Sequence, residues 1–112
     1  MSCLFCRIIA GEIPSRKVYE DDRVFAFEDI NPGAPVHVLL IPKRHLAGLA
    51  EAKAEDESIL GYLQLKAAEI ARARGLENGY RTVLNVGPDA GQSVFHLHLH
   101  LLGGRELGWP PG

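Results

Sequence analysis

The sequence predicts an α+β fold: a mainly antiparallel five-stranded sheet with one long and one short helix. Three observations predict it. Five short segments, 17–20, 23–28, 36–41, 80–86 and 94–102, have strand-like composition or alternation. Only 56–74 keeps apolar residues at helical spacing over many turns. The strands mostly follow one another without crossover helices, which favours antiparallel pairing. With 112 residues, the chain is expected to be a single domain spanning 1–112, because two cores are hard to build from so little sequence.

Each element has a local reason. Leu4, Phe5, Ile8 and Ile9 recur at helical spacing, so a short helix is expected over 4–12, ended by Gly11 and Pro14. The acidic pair Asp21-Asp22 suits a tight turn between the first two strands. In the second strand Val24, Ala26 and Glu28 alternate with Phe25, Phe27 and Asp29. Asn31-Pro32-Gly33 breaks the chain, Pro35 limits the restart to Val36, and Pro42 ends the third strand. In the long helix Ile59, Leu60, Leu63, Ala67, Ile70 and Ala71 line one face. Acidic residues lead its first turn, and Arg72 and Arg74 close it before Gly75. A glycine-containing loop, 87–91, joins the last two strands.

Composition excludes several functions. Hydrophobic residues make up 46% and charged residues 23%, ordinary for a soluble globular protein. No apolar run approaches the ~20 residues of a membrane span, and the start lacks a secretory signal, so a cytoplasmic location and no membrane partner are expected. The net charge of −2 supplies no field for binding nucleic acid. Lys43-Arg44 and the arginines near Arg72 read as a solvated surface rather than a basic patch.

The sharpest feature is His96-Leu97-His98-Leu99-His100. On a strand these histidines share one surface, with Leu97, Leu99 and Leu101 on the other, and successive rings lie ~7 Å apart. Three readings compete. Solvated imidazoles on an open face add no stability. A three-histidine metal centre is handicapped, because one straight strand spreads its donors too widely for a single ion. Nucleophilic catalysis by imidazole, with neighbours handling phosphate charge and the leaving group, is the third. Spacing alone favours it only modestly.

The surrounding residues add a resemblance. Through Gly91-Gln92-Ser93-Val94-Phe95-His96-Leu97-His98-Leu99-His100 the chain resembles the histidine triad (HIT) family. The likeness extends through Tyr19-Glu20-Asp21-Asp22, Phe27-Glu28-Asp29-Ile30, Ile41-Pro42-Lys43-Arg44-His45, Asn85-Val86-Gly87 and Leu102-Gly103-Gly104-Arg105. The ending Trp109-Pro110-Pro111-Gly112 looks like the histidine triad nucleotide-binding (Hint) branch. That resemblance implies a homodimeric hydrolase cleaving P–N bonds of purine nucleoside 5′-phosphoramidates, with the sheet extended across the dimer. Dinucleoside polyphosphate hydrolysis, nucleotidyl transfer and a non-catalytic nucleotide-binding regulatory module are the alternatives.

The same resemblance implies the site. His98 matches the nucleophile, forming a covalent nucleotidyl-histidine that water then cleaves. Its attacking nitrogen must be unprotonated, so the other needs an acceptor such as a backbone carbonyl. His37 and His100 match the flanking histidines, and Ser93 joins them in the catalytic set. Asn85, Gly91, Gln92, Ser93 and Val94 match the phosphate end, with N–H groups from the 91–93 backbone. Asp29 and Ile30 match the ribose-and-base end, since one carboxylate accepts two hydroxyls. Leu4, Phe5, Ile8 and Phe27 form either an apolar slot for a purine or plain core.

Cys3-x-x-Cys6 supplies half a tetrahedral zinc site; reduced, packed thiols and a redox pair are the other readings. By the same resemblance, bacterial family members complete a structural zinc site with two histidines. Here these match His45 and His96, giving the set Cys3, Cys6, His45 and His96; the chemistry itself requires no cofactor. Trp109 is expected to pack near the partner subunit's nucleotide site.

Overall fold

The computed structural model describes residues 3–112. In chain order they form α1 (Leu4–Ile9), β1 (Lys17–Glu20), β2 (Val24–Glu28), β3 (Val36–Pro42), α2 (Glu57–Ala73), β4 (Tyr80–Val83) and β5 (Leu99–Gly103). The strands make one sheet in the order β1-β2-β3-β5-β4. Every neighbouring pair is antiparallel, and β5 is inserted between its two predecessors. No helix among the described residues is long and apolar enough to cross a membrane.

Local chemistry sets the boundaries. Cys3 caps α1, its sulfur accepting from the Cys6 N–H at 3.4 Å, and the chain leaves the helix through Gly11 at φ +80°. Asp21 closes the β1–β2 turn: its Oδ1 accepts from the N–H groups of Arg23 and Val24, both at 2.8 Å. Its Oδ2 accepts from the hydroxyls of Tyr19 and Tyr62, which ties that turn to α2. Two 3-10 turns, Leu49–Glu51 and Ala54–Asp56, lead into α2. Glu57 in the first turn and Arg72 in the last complement the helix dipole.

Alternation along the strands sorts residues onto two faces. On one, Val24, Ala26, Val38, Leu40, Leu97, Leu99 and Leu101 pack against Leu63, Ala67, Ile70 and Ala71 of α2. On the other, Phe25, Phe27, Leu39 and Ile41 pack beneath Phe5 and Ile8 of α1. The second face belongs to the histidines. Leu39 pairs with His100 and His37 with Leu102, so His37 and His100 are diagonal neighbours across β3 and β5.

One strand is shorter than its alternation suggests. The expected segment 94–102 becomes Leu99–Gly103, leaving His96 and His98 before the strand. The cause is a lack of partners. The β3–β5 ladder reaches no further than Leu40↔Leu99, and β4 pairs only as far as Val83↔His100. The stretch bends over 94–96 and is held by other bonds, including the Leu97 N–H to the Leu46 carbonyl at 2.6 Å. Leu97 still packs in the core under α2, although no ladder holds it. The fourth strand stops at Val83 rather than 86, and the first helix at Ile9 rather than 12.

Candidate active site and metal cluster

His98 is buried, and its orientation is set by the chain beside it. Its Nδ1 lies 2.8 Å from the His96 carbonyl oxygen. A carbonyl only accepts, so Nδ1 carries the proton and Nε2 keeps its lone pair. Among the described residues Nε2 has no hydrogen-bond partner. Phe5 lies edge-on to the ring, with centroids 5.1 Å apart and planes at 89°, and the His100 ring is 5.0 Å away. That spacing is tighter than the ~7 Å expected from strand rise.

Beside it runs a chain of single protons. The Gly33 N–H donates to His37 Nδ1 at 2.9 Å, so neutral His37 carries its proton on Nε2. That proton faces His100 Nδ1 at 2.9 Å and Asp29 Oδ2 at 3.3 Å. With Nδ1 accepting, His100 holds its own proton on Nε2, a buried atom without a hydrogen-bond partner among the described residues. A buried orphan donor is costly, and it suits an incoming oxygen. Burial pulls His100 down to about 4, with His98 and His37 adding to the effect. His37 is also lowered, by burial, against an opposing pull from Asp29. Both rings are therefore neutral near pH 7.

A second cluster lies on the other side of His98. The donor atoms of Cys3, Cys6, His45 and His96 all fall within 4.8 Å of one another. His96 Nδ1 is 3.3 Å from Cys3 Sγ, 3.6 Å from Cys6 Sγ and 3.2 Å from His45 Nδ1. Cys6 Sγ to His45 Nδ1 is 3.5 Å. A tetrahedral zinc with ordinary Zn–S and Zn–N bonds sets its donors about 3.3–3.8 Å apart, so the fit is close. The tautomer agrees: His96 Nε2 donates to the Pro42 carbonyl at 2.8 Å, which turns the Nδ1 lone pair toward the sulfurs. Burial and the adjacent Cys3 push the Cys6 thiol up, and a bound cation would favour its thiolate.

Asp29, His37 and His100 also bring donor atoms within 4.8 Å, yet they fit a metal poorly. To ligate, His37 Nε2 would lose its proton to Nδ1, which already faces the Gly33 N–H. The backbone tautomer lock leaves the His37 Nε2–H as a donor between two acceptors.

The HIT domain model matches residues 10–107, nearly the whole chain. This chain belongs to the HIT domain family. It is 56% identical over 111 residues to the 14 kDa zinc-binding protein of Zea mays, covering 97% of this chain and 87% of that protein. A HIT family hydrolase from Legionella pneumophila superposes with a TM-score of 0.97 at 50% identity, covering 99% of this chain and 100% of that one. A histidine triad nucleotide-binding protein from Candida albicans does so at 0.83 with 36% identity, covering 97% and 83%.

Within this HIT domain, the remaining expected residues divide. Asp29 Oδ1 accepts from the Asn31 N–H at 2.8 Å, and its residue lines a cleft of about 410 Å³ with Arg16, Ile30, Pro35 and His37. Ile30 is 89% exposed there. A larger cleft lies along 75–81 and 104–107, away from the histidines. Phe5, Ile8 and Phe27 are buried in the α1-face core, whereas Leu4 is exposed. Ser93 is exposed, and Asn85 and Val94 are half-buried.

Two expectations change, at Gly91 and Gln92. The Gly91 and Gln92 N–H groups are not open to phosphate: they donate to the Pro88 and Gly87 carbonyls at 3.0 and 3.1 Å. Gln92 is buried scaffold; its Oε1 accepts from the Gly87 N–H at 2.9 Å, and its Nε2 donates to the Ala47 carbonyl at 2.9 Å. Lys43 and Arg44 form no basic patch, as expected: Lys43 pairs with Glu20 at 2.7 Å, and Arg44, its side chain 65% exposed, pairs with buried Asp56. The latter pair anchors the segment that presents His45. Sequence reasoning missed Gly33, Pro42 and Arg105, whose guanidinium donates to the Gly33 carbonyl at 2.8 Å. Of these, only Gly33, four residues before His37, gave a nearby signal.

Proposed function

We propose that the protein is a nucleotide-binding hydrolase of the Hint type, cleaving the P–N bond of purine nucleoside 5′-phosphoramidates through a nucleotidyl-His98 intermediate. One observation carries the reading: the His96 carbonyl fixes the His98 proton on Nδ1, leaving Nε2 a free nucleophile, next to a ring whose buried Nε2–H lacks a partner. Two neutral imidazoles with opposite jobs suit attack on phosphorus and stabilisation of the charge that develops on its oxygens.

In the first step the His98 Nε2–P bond forms as the P–N bond breaks. The electron pair leaves with the amine nitrogen, which takes a proton from solvent. His100 donates Nε2–H to a phosphoryl oxygen, and Ser93 and Asn85 supply further neutral hydrogen bonds at the phosphate. Water then cleaves the His98–P bond, a proton returns to solvent, and neutral His98 is restored. Asp29 holds the sugar hydroxyls, and Leu4 and Ile30 offer the exposed apolar surface for a purine. Cys3, Cys6, His45 and His96 would hold zinc, whose contribution is structural: it ties α1, and so Phe5, to the segment before His98.

The protein is further read as a homodimer, with Trp109, 83% exposed on the single chain, covered near the partner's nucleotide site. Sedimentation at the dimer mass is expected. Removal of 109–112 should then change substrate preference more than thermal stability; an unchanged preference would remove this role.

Turnover of adenosine 5′-phosphoramidate by the wild type and by His98→Ala tests the mechanism. Loss of the nucleophile is expected to cost on the order of 10⁵-fold in kcat, with loss of the nucleotidylated protein seen by mass spectrometry. Equal turnover by both proteins ends the assignment. Turnover of diadenosine polyphosphates alone moves the substrate to phosphoanhydrides.

A further inference from the structure

We infer that Asp29 is a positioning residue for the imidazole pair as well as a sugar anchor, because it competes with His100 for the one Nε2 proton of His37. The inference rests on the proposed reading of Asp29 as the sugar-binding carboxylate. The Gly33 N–H occupies His37 Nδ1 at 2.9 Å, so neutral His37 has a single proton to give. Two acceptors face it, His100 Nδ1 at 2.9 Å and Asp29 Oδ2 at 3.3 Å. The other carboxylate oxygen already accepts from the Asn31 N–H at 2.8 Å, so Oδ2 is the oxygen left to compete.

The outcome matters at His100. While His37 donates to His100 Nδ1, His100 must keep its proton on Nε2, the buried atom that lacks a partner. When the carboxylate draws the His37 proton instead, His100 Nδ1 loses its donor. Its own proton is then free to sit on Nδ1, and Nε2 can no longer donate to a phosphoryl oxygen. A sugar hydroxyl that donates to Asp29 Oδ2 draws on the charge of that oxygen and weakens its pull on the His37 proton. Ribose recognition thereby stabilises the donor tautomer of His100. The vicinal hydroxyls contribute to kcat, and not to KM alone.

Two measurements test this. The first is ¹⁵N NMR of the His100 ring in the zinc-loaded protein with adenosine 5′-monophosphate or its 2′,3′-dideoxy analogue at saturation. The Nε2–H population is expected to rise with the ribonucleotide and not with the analogue. An equal rise with both, or none with either, overturns the inference. This readout needs no turnover, so it stands apart from the fate of the phosphoramidase reading. The second compares ribose and 2′,3′-dideoxy phosphoramidates as substrates. The wild type is expected to lose about tenfold in kcat with the dideoxy compound, a small part of what a positioned proton donor contributes. In Asp29→Asn, where no carboxylate competes, the two substrates are expected to share one kcat while KM rises. A wild-type dideoxy effect confined to KM makes Asp29 a sugar anchor only and overturns the inference.

Discussion

Two histidine clusters flank His98, and they differ less in residue type than in the backbone atoms around them. At His96 the Pro42 carbonyl takes the Nε2 proton, and the Nδ1 lone pair converges with two sulfurs and His45. At His37 the Gly33 N–H caps Nδ1, and the remaining proton passes toward His100. The carbonyl beside His96 aims its lone pair at the sulfurs; the N–H beside His37 leaves that ring a donor. Tautomer, set by main-chain neighbours, decides which ring nitrogen accepts and which donates.

The largest break in this comparison removes one cluster. Cys3→Ser with Cys6→Ser is expected to abolish zinc binding, which elemental analysis should find near one ion per wild-type chain. At free zinc about 1,000 times its dissociation constant, the wild type gains ~4 kcal/mol of stability that the variant lacks. Identical denaturation curves for both proteins, with and without chelator, would show that no metal couples to folding.

A smaller effect concerns the proton-carrying cluster. His100 in the folded state is held at about 4, against an ordinary 6.5, and His37 is lowered as well. Between these values the unfolded chain binds more protons, so this contribution to stability is complete above pH 6.5 and is lost as pH falls toward 4. Urea unfolding across this window should show the decline, and His100→Asn should flatten it. An equal slope in both proteins would mean that His100 is not its source.

The smallest effect lies one residue further out. Arg105→Ala removes the bond to the Gly33 carbonyl and is expected to cost ~1 kcal/mol in stability, since the pair is exposed. Turnover should fall more than zinc content, which should not change. Reduced zinc in this variant would show that the two clusters are not separate.

The sheet was legible because burial of opposite faces imposes period two: Phe25, Phe27 and Leu39 against Val24, Ala26 and Val38 are separable by eye. The alternation of His96, His98 and His100 was equally legible, whereas the end of the ladder was not. Alternation records which side is buried, while a ladder requires a partner strand, and none reaches 94–98. The atoms that set the tautomers were invisible for a related reason. Gly33, Pro42 and His96 act through main-chain groups that any residue type supplies, so side-chain pattern carries no trace of them. Gln92 illustrates the reverse: it is read for a backbone N–H at the phosphate, whereas its side chain braces the loop against Ala47 and Gly87.

The order β1-β2-β3-β5-β4 leaves a gap until β5 arrives. During synthesis, β3 and β4 both emerge with their inner rims unpaired, and neither can be satisfied by the other at the correct spacing. Such bare rims invite pairing with foreign chains. The strand that closes the gap is also the one bearing His100, directly after His98. A chain truncated before β5 would lack both the strand that closes the sheet and the His100 ring beside His98.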